Sequence, residues 1–282
     1  MHSQIPAVAD DLTPEWFSRV LDTAVQSVAL ERLGGLSSVV WRARLGYRSR
    51  EAAQASVIVK LALERPEGQV AEGFDREVRF YRDLAPQMTV AVPRLLWSDA
   101  DPATGDFVLV LEDFPGHLAR ADDAFATDEV VRLLLTEVAR VHAAWWGRPE
   151  LEELSFLRTL PDFIQRVEAL LGEGVPLFLE RFEGRLGADE RALVEALPAR
   201  FRVAAERLGA APKTLVHHDL SLRNVLFGQG ENEPRLVLID WQLAQRNAGV
   251  RDVSYLIGAC LAPEPRSRHE MGLLRHYLAC LE

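Results

Sequence analysis

The sequence predicts an α+β fold with two lobes, a small one built on an antiparallel sheet with one key helix and a larger one that is mainly helical. Two observations lead to this prediction. Strand-like segments rich in β-branched residues are concentrated in the first third of the chain, and helical periodicity dominates the remainder. Such segregation is typical of α+β proteins. We therefore expect an N-terminal lobe over 1–114 and a C-terminal lobe over 115–282.

The composition is that of a globular protein, with 48% apolar and 26% charged residues in 282. No apolar run approaches the ~20 residues that cross a bilayer, and the first residues do not read as a signal peptide. We therefore expect a cytoplasmic protein without a membrane partner. The net charge of -10 argues against a nucleic-acid partner and weakly favours a cationic substrate. Cys260 and Cys280 lack metal-ligand spacing and are expected to be reduced core thiols.

The elements of the first lobe can be placed from local signals. Thr13 and Pro14 are typical of the N-cap and first position of a helix. Residues 73–85 show helical spacing of apolar residues. Strands are expected where β-branched residues are dense, at "SVVWRARLGY" (38–47), "SVIVKLAL" (56–63) and "DFVLVLEDF" (106–114).

Two charged residues of this lobe lie on apolar faces. Lys60 shares one face of its strand with Ile58 and Ala62, and Glu77 lies in a helical stripe with apolar neighbours. An isolated buried charge is costly, so we expect a Lys60–Glu77 ion pair that faces the cleft. The alternative is that the Lys60 ammonium reaches solvent and Glu77 lies at a helix edge.

The second lobe begins with an amphipathic helix, "TDEVVRLLLTEVARVHAAWW" (127–146). His142 and Trp145 lie on its apolar stripe, and we interpret them as core residues. Further helices are expected near 151–171, near 188–208 and from about residue 251.

The segment "LVHHDLSLRNVLF" (215–227) concentrates polar chemistry between two apolar runs. Its last run, "NVLFG", and the later "PRLVLID" (234–240) are joined by a polar turn and predict a β-hairpin. The start of one hairpin strand lies beside the end of the other, so Asn224 should stand next to Asp240, with Asp219 nearby. Their side-chain oxygens suit a hard cation such as Mg²⁺.

The pattern His217-x-Asp219-x-x-x-x-Asn224, followed by Asp240 and preceded by Lys60 and Glu77, resembles the protein-kinase-like fold. In detail it is similar to the aminoglycoside phosphotransferase and choline kinase-like families. The nearest resemblance is to the ecdysteroid-kinase-like branch, in which "DWQ" replaces the kinase "DFG". The segments "FDREVRFYRDLAP", "FVLVLEDF", "EVARVHAAWW" and "GVRDVSYLIG" also resemble that group, and the resemblance covers about residues 30 to 280.

The resemblance implies a role for each catalytic residue. Asp219 would accept or orient the acceptor hydroxyl, and Asn224 and Asp240 would hold Mg²⁺ on the phosphates of ATP or GTP. Lys60 would contact the α- and β-phosphates, with Glu77 fixing its position.

Further implied roles are structural or concern the nucleotide. The glycine-containing loop Gly34, Gly35, Ser37 and Ser38 would cover the phosphates, although a plain hairpin turn is the alternative. The segment Glu112, Asp113 and Phe114 would be the hinge that offers backbone groups to the adenine. His217 would brace the catalytic loop, and Asp252 would tie that loop to the following helix.

Three features bear on the acceptor. Asp252 follows Asp240 by only twelve positions, too few for the activation segment on which protein kinases bind a peptide, so we expect a small hydroxylated acceptor and no protein substrate. An aminoglycoside, a choline-like amine, a sugar or a steroid alcohol would each fit. His218 stands where relatives usually carry glycine. Relatives also generally continue through further helices beyond "LLRHYLACLE", so the earlier end of this chain would remove part of the acceptor pocket.

Two other functions are compatible with parts of the same pattern. A pseudokinase would bind nucleotide as a scaffold without turnover, and the presence of all five core residues argues against it. A metal-dependent phosphohydrolase would use "HHD" with His142 as a further ligand. Such sites place their His-Asp pair on helices, whereas strand-like runs flank this one.

Overall fold

A computed structural model describes residues 5–35, 38–47, 54–62, 69–101, 104–119, 126–228 and 235–282 of the chain. It has an antiparallel sheet in the N-terminal part and mostly helices beyond it, which confirms the predicted two-lobed α+β architecture. The boundary at residue 114 stays a prediction, and it falls just after the last strand of the large sheet.

The N-terminal sheet has five antiparallel strands in the order β1-β2-β3-β5-β4. Thr13 is the N-cap of the helix that precedes this sheet, as expected, because its Oγ1 accepts a hydrogen bond from the Trp16 backbone N–H at 3.2 Å. The elements are α1 (Pro14–Val20), β1 (Val25–Gly34), β2 (Ser38–Tyr47), β3 (Ser56–Ala62), β4 (Leu95–Ala100) and β5 (Phe107–Glu112).

The two faces of the sheet are buried against different partners, because side chains alternate along a strand. On β3, Val57, Val59 and Leu61 pack in a cluster that includes Trp16 and Phe17 of α1. The opposite face carries Ile58 and Lys60 toward the second lobe. Lys60 is thereby held in the cleft.

The helix α2 (Gln69–Arg79) continues into one π-helical turn, Phe80–Leu84. The sequence predicted a single helix over 73–85 and missed this turn. Phe74 stacks on Phe107 with ring centroids 3.9 Å apart, and Phe80 stacks on Trp241 at 4.2 Å. Aromatic stacking on both lobes therefore holds α2 in the interface.

The C-terminal part is built from seven further helices in the described residues. They are α3 (Asp128–Trp145), α4 (Glu150–Glu153), α5 (Leu160–Arg181), α6 (Ala188–Glu195), α7 (Leu197–Ala210), α8 (Val250–Cys260) and α9 (Pro263–Leu281). The helix expected near 151–171 is wrong in its bounds, because residues 154–159 are not helical and α5 runs on to Arg181. Two of those six residues instead bind other segments through their backbone: the carbonyls of Phe156 and Arg158 accept hydrogen bonds from Arg76 and Arg246.

The predicted hairpin is present as β8 (Val225–Phe227) and β9 (Leu236–Leu238), with Val225 opposite Leu238. The turn that joins them, 229–234, lies outside the described residues. Two pairings were not predicted: β6 (Leu118–Ala119) with β8, and β7 (Thr214–Val216) with β10 (Gln245–Asn247). The second pairing joins the start of the polar motif to the segment that follows "DWQ".

One large hydrophobic cluster runs from α2 and β5 through α3, the hairpin and α8. Cys260 is buried in it, and both cysteines are free thiols, as expected. Within the described ranges, no helix has the length and apolarity needed to span a membrane.

Gly35 provides a stability test of the turn after β1. Its φ is +122°, and an added Cβ would lie 1.8 Å from the Ser38 carbonyl oxygen, whereas a Cβ on Gly34, also at positive φ, would meet nothing within 4 Å. Gly35→Ala should lower the free energy of unfolding by clearly more than Gly34→Ala, which carries only the backbone strain of about 1–3 kcal/mol. Urea denaturation of both variants measures this, and equal losses would contradict the close contact.

Candidate active site

The ammonium of Lys60 lies between two carboxylates from different lobes. Its Nζ is 2.7 Å from Glu77 Oε2 and 2.9 Å from Asp240 Oδ1. This confirms the predicted Lys60–Glu77 ion pair and excludes the solvent-exposed alternative. Asp240 as a second partner was not predicted, and it links β3 and α2 to the segment after β9.

The charges of this cluster depend on one another. Burial alone would lower the pKa of Lys60, but Asp240 and Glu77 raise it above its ordinary value, so the ammonium stays protonated. Burial alone would raise the pKa of Asp240, and Lys60 overcomes this and lowers it. Burial raises the pKa of Glu77 against the opposing effect of Lys60. Asp240 is thus the more firmly ionised carboxylate, as a metal ligand should be.

A cleft of about 180 Å³ opens beside this cluster. Its polar end contains Lys60, Glu77, Asn224 and Asp240, and its other end is mostly apolar. The apolar lining residues are Leu33, Val40, Ile58, Tyr81, Pro93, Leu111, Leu226 and Ile239. An apolar cleft that ends in charged groups has the chemistry of a site for a base with attached phosphates.

The predicted hinge residues Glu112, Asp113 and Phe114 also line the cleft. The Asp113 carboxylate is occupied, because it accepts hydrogen bonds from Arg42 Nε at 2.8 Å and Ser56 Oγ at 2.6 Å. Its side chain therefore fastens the hinge to β2 and β3. Any contact of Asp113 itself with a base would therefore come from its backbone.

The loop predicted to cover phosphates is only partly described. Gly34 ends β1, Gly35 follows it and a buried Ser38 begins β2, whereas Ser37 lies outside the described residues. The described lining of the cleft reaches Leu33 and Val40 on either side of this turn. The phosphate-covering role stays a prediction.

The catalytic-loop residues are fixed by hydrogen bonds. Asn224 Nδ2 donates to the Asp219 carbonyl at 2.8 Å and to Asp219 Oδ2 at 3.1 Å. Ile239 N–H donates to the Asn224 carbonyl at 3.1 Å, which sets Asn224 beside the end of β9 and Asp240. Since the Asn224 amide nitrogen faces Asp219, its side-chain oxygen is the atom left for a metal.

The donor set near Asp240 fits Mg²⁺ only together with phosphate oxygens. Asn224 and Asp240 offer hard oxygen atoms. In the described part of the chain, no group of three or more His, Cys, Asp or Glu side chains is arranged to hold a metal ion. An ion that completes its shell with nucleotide oxygens and water is the usual arrangement for Mg²⁺.

Asp252 holds the polar loop by binding its backbone. Its carboxylate accepts hydrogen bonds from the backbone N–H groups of His217 and His218, both at 2.7 Å. His142 lies 3.4 Å from the same carboxylate and 2.8 Å from Tyr277 Oη, with a fully buried ring. This confirms His142 as a core residue and leaves it unsuited to the metal-ligand role of the phosphohydrolase alternative.

His217 braces the loop as predicted. Its Nε2 lies 2.9 Å from the Ile239 carbonyl, and its Nδ1 accepts a hydrogen bond from the Asp219 N–H at 3.3 Å. Its ring packs on Trp241 with centroids 4.5 Å apart. The Trp of the "DWQ" segment thus lies between α2 and the catalytic loop.

Sequence reasoning missed two residues that contact the site. Tyr255 on α8 donates a hydrogen bond from Oη to Asp219 Oδ1 at 2.8 Å. Arg76 on α2 donates to the carbonyls of Phe156 at 3.0 Å and Gln242 at 2.7 Å. The position of Tyr255 three residues after Asp252, on the same helical face, was the available signal.

Comparisons with known proteins agree with this geometry. The model of the phosphotransferase enzyme family, APH, matches residues 31–279. The chain belongs to this family. No curated protein sequence matches it. Its placement nearer the ecdysteroid-kinase-like branch stays a prediction.

Solved structures with the same fold are distant in sequence. The GDP complex of wild-type aminoglycoside 2'-phosphotransferase-IIIa is 18% identical, with a TM-score of 0.60, over 94% of this chain and 85% of that one. The choline kinase LicA from Streptococcus pneumoniae is 16% identical, with a TM-score of 0.57, over 95% and 79%. The gentamicin complex of APH(2")-IIa is 14% identical, with a TM-score of 0.57, over 99% and 85%. At these identities the likeness shows the shared fold.

The ion pair can be tested through nucleotide affinity. Lys60→Met and Glu77→Gln should each weaken nucleotide binding at least about tenfold, and the double variant should be no weaker than the worse single one, because each change removes the same interaction. Titration with a fluorescent nucleotide measures this, with Arg82→Gln on the exposed side of the same segment as control. Additive losses would mean that the two side chains act separately.

The lowered pKa of the His218 ring predicts that the free energy of unfolding depends on pH. Its φ is +72°, and burial, followed by the charge of Arg251, lowers its pKa to about 4. In the unfolded chain the His218 ring takes up a proton near pH ~6.5, whereas in the folded chain it does so only near its lowered pKa. The free energy of unfolding therefore falls as the pH drops from the first pKa to the second, by up to about 3 kcal/mol.

His218→Asn keeps a residue that tolerates positive φ and removes the titrating ring. Relative to this variant, the wild type should lose stability between about pH 7 and pH 4.5. Urea denaturation of both proteins at each pH measures the difference. Parallel pH profiles would show that His218 does not resist protonation in the fold.

Proposed function

We propose that the protein is a small-molecule kinase that transfers the γ-phosphate of ATP or GTP to a hydroxyl group. The observation that carries this is the Lys60 ammonium held between Glu77 and Asp240 at the polar end of the cleft. A fixed cation beside an ionised aspartate is what phosphoryl transfer needs to position and neutralise phosphates. Family membership supports a phosphotransferase, and two proteins of the same fold were solved with GDP and with gentamicin.

Each residue has a defined task in this proposal. Lys60 binds nucleotide phosphates, and Glu77 keeps it in place. Asn224 and Asp240 hold Mg²⁺, which supplies positive charge to the phosphates. Asp219 accepts the proton of the acceptor hydroxyl, and its carboxylate is oriented for this by Asn224 and Tyr255.

A small acceptor is favoured over a protein because the segment after Asp240 is short and packed. Trp241, Ala244, Gln245 and Ala248 are all buried, and β10 pairs with β7. Little of this segment is left to dock a peptide in the manner of a protein kinase.

Thermal melting combined with turnover separates the kinase from a nucleotide-binding scaffold. Mg²⁺ and nucleotide at about a hundred times Kd should add roughly 2.7 kcal/mol of stability, a melting shift on the order of 5–10 °C. Asp240→Ala should lose most of the Mg²⁺-dependent shift. Asp219→Asn should keep the shift and lose turnover, because its task concerns the acceptor.

The turnover arm is a nucleotide-consumption screen over hydroxyl compounds, with generic peptides included as acceptors. Small-molecule turnover without peptide phosphorylation is the expected result. A melting shift without turnover on any acceptor would favour the scaffold. A full Mg²⁺-dependent shift in Asp240→Ala would refute the metal-site assignment.

A further inference from the structure

One hydroxyl group of the polar loop is buried without a hydrogen-bond partner. Ser221 is 7% exposed, and its Oγ makes no hydrogen bond in the part of the chain that the structure describes. Folded proteins pair the large majority of their buried polar side-chain atoms, because an unpaired one has lost its bonds to water and gained none in return. The contacts of the folded chain therefore do not explain why a hydroxyl is buried here.

The role that serine commonly has at such a position is not used either. Ser221 is the N-cap of the short helical turn Leu222–Asn224, and an N-cap serine commonly accepts a hydrogen bond from an N–H group of the first turn. In the turn as described, the Ser221 side chain makes no such bond. The Asn224 N–H donates to the Ser221 carbonyl at 3.0 Å instead. The turn is thus held without the hydroxyl.

The backbone directs this side chain away from the hydrophobic core. Leu220 and Leu222 are both buried in the large hydrophobic cluster. Ser221 lies between them in an extended conformation, with φ −127° and ψ 171°. Successive side chains of an extended chain point to opposite sides. The Ser221 hydroxyl therefore lies on the opposite side of the loop from the two leucines.

Ser221 is bound through its backbone to the two loop residues that are proposed to act in the reaction. Its N–H donates to the Asp219 carbonyl at 3.0 Å, and its own carbonyl accepts from the Asn224 N–H. In the proposed function Asp219 takes the proton of the acceptor hydroxyl, and Asn224 holds the metal ion on the nucleotide phosphates. The phosphoryl group moves from the second place to the first, so it passes between the residues that Ser221 connects.

A phosphoryl group in transfer is a suitable partner for this hydroxyl. Its equatorial oxygens carry negative charge and accept hydrogen bonds, and a serine hydroxyl can donate one. The ionised carboxylates of Asp219 and Asp240 cannot donate, and the Lys60 ammonium is already shared between two carboxylates. A donor that is already removed from water and held on a fixed loop is the kind that stabilises developing charge most effectively.

We propose that Ser221 Oγ donates a hydrogen bond to an oxygen of the phosphoryl group during its transfer. This inference rests on the proposed kinase function. In the transfer, the acceptor oxygen bonds to the γ-phosphorus, the bond from that phosphorus to the β–γ bridging oxygen breaks, and the nucleoside diphosphate leaves. The proton of the acceptor hydroxyl passes to Asp219, and Ser221 keeps its own proton.

Two variants remove the hydroxyl in different ways. Ser221→Ala leaves the space of the hydroxyl empty, whereas Ser221→Cys fills it with a thiol, which is a weak donor. Both should lower the rate of phosphoryl transfer about tenfold or more, since a hydrogen bond to a charged group contributes roughly that much. Both should leave the affinity for Mg-ADP unchanged, because ADP lacks the transferred group. Ser254→Ala is the matched control, since its exposed hydroxyl bonds to the Arg251 carbonyl within α8 at 3.1 Å.

The rate can be measured before an acceptor is known. Slow hydrolysis of Mg-ATP, in which water takes the place of the hydroxyl compound, is one assay, and transfer to any active compound of the screen is the other. We expect a loss in both assays, because the phosphoryl group is common to them. A loss confined to one acceptor, with a raised KM for that acceptor, would mean that Ser221 contacts the acceptor and would overturn the inference.

Urea denaturation of the nucleotide-free protein gives an independent result. Because the hydroxyl is unpaired in the fold, Ser221→Ala should have a urea midpoint equal to or above that of the wild type. A clear fall of the midpoint in both Ser221 variants would show that the hydroxyl is bonded within the fold, which contradicts the inference.

The remaining outcomes separate the inference from the kinase function. A wild-type rate in Ser221→Cys would show that the size of the side chain matters and the hydroxyl does not. A loss of Mg-ADP affinity as large as the loss of rate would assign the effect to the nucleotide site as a whole. Either result refutes the inference and leaves the kinase function intact. If the wild type shows the Mg-nucleotide melting shift but neither hydrolysis nor transfer, the kinase function is wrong and the inference fails with it.

Discussion

The Lys60 ammonium and its two carboxylate partners determine how the two lobes meet. A buried ammonium without partners is strongly destabilising, and removing one member of a buried pair costs about 3–5 kcal/mol. Lys60 comes from β3, Glu77 from α2 and Asp240 from the end of the hairpin, so this requirement fixes three elements against one another. The same geometry leaves a cation at the polar end of a largely apolar cleft. The interaction that holds the lobes together thus also creates the charged end of the cleft.

Contacts on the other side of α2 make this arrangement rigid. Arg76 binds two backbone carbonyls of the second lobe, and Phe80 stacks on Trp241, which packs on His217. Asp252 holds the backbone of that same loop. Asp219 and Asn224 are therefore positioned by a continuous set of packed rings and hydrogen bonds, which is the pre-organisation that electrostatic catalysis requires.

The parts of the site that the sequence predicted depend on local patterns. Lys60 interrupts the apolar face of a strand, and Glu77 interrupts the apolar stripe of a helix. The geometry of the hairpin places Asn224 beside Asp240. The parts that it did not predict depend on tertiary contacts between distant segments. The Tyr255–Asp219 hydrogen bond, the two bonds of Arg76 and the pairing of β7 with β10 leave no periodic signal. The irregular stretch at 154–159 follows from the same cause, since tertiary hydrogen bonds outweigh helix propensity there.

The buried residues of the site and the exposed residues of the polar loop differ in their coupling to stability. Lys60, Glu77 and Asn224 are buried, so substitutions there disturb the fold as well as the chemistry. Arg223 is exposed, and a change at such a position usually alters stability by less than about 0.5 kcal/mol. Exposed positions of the polar loop can therefore change their charge while the buried part of the site is kept. That separation is a physical reason why one fold can be shared by aminoglycoside phosphotransferases, a choline kinase and this chain.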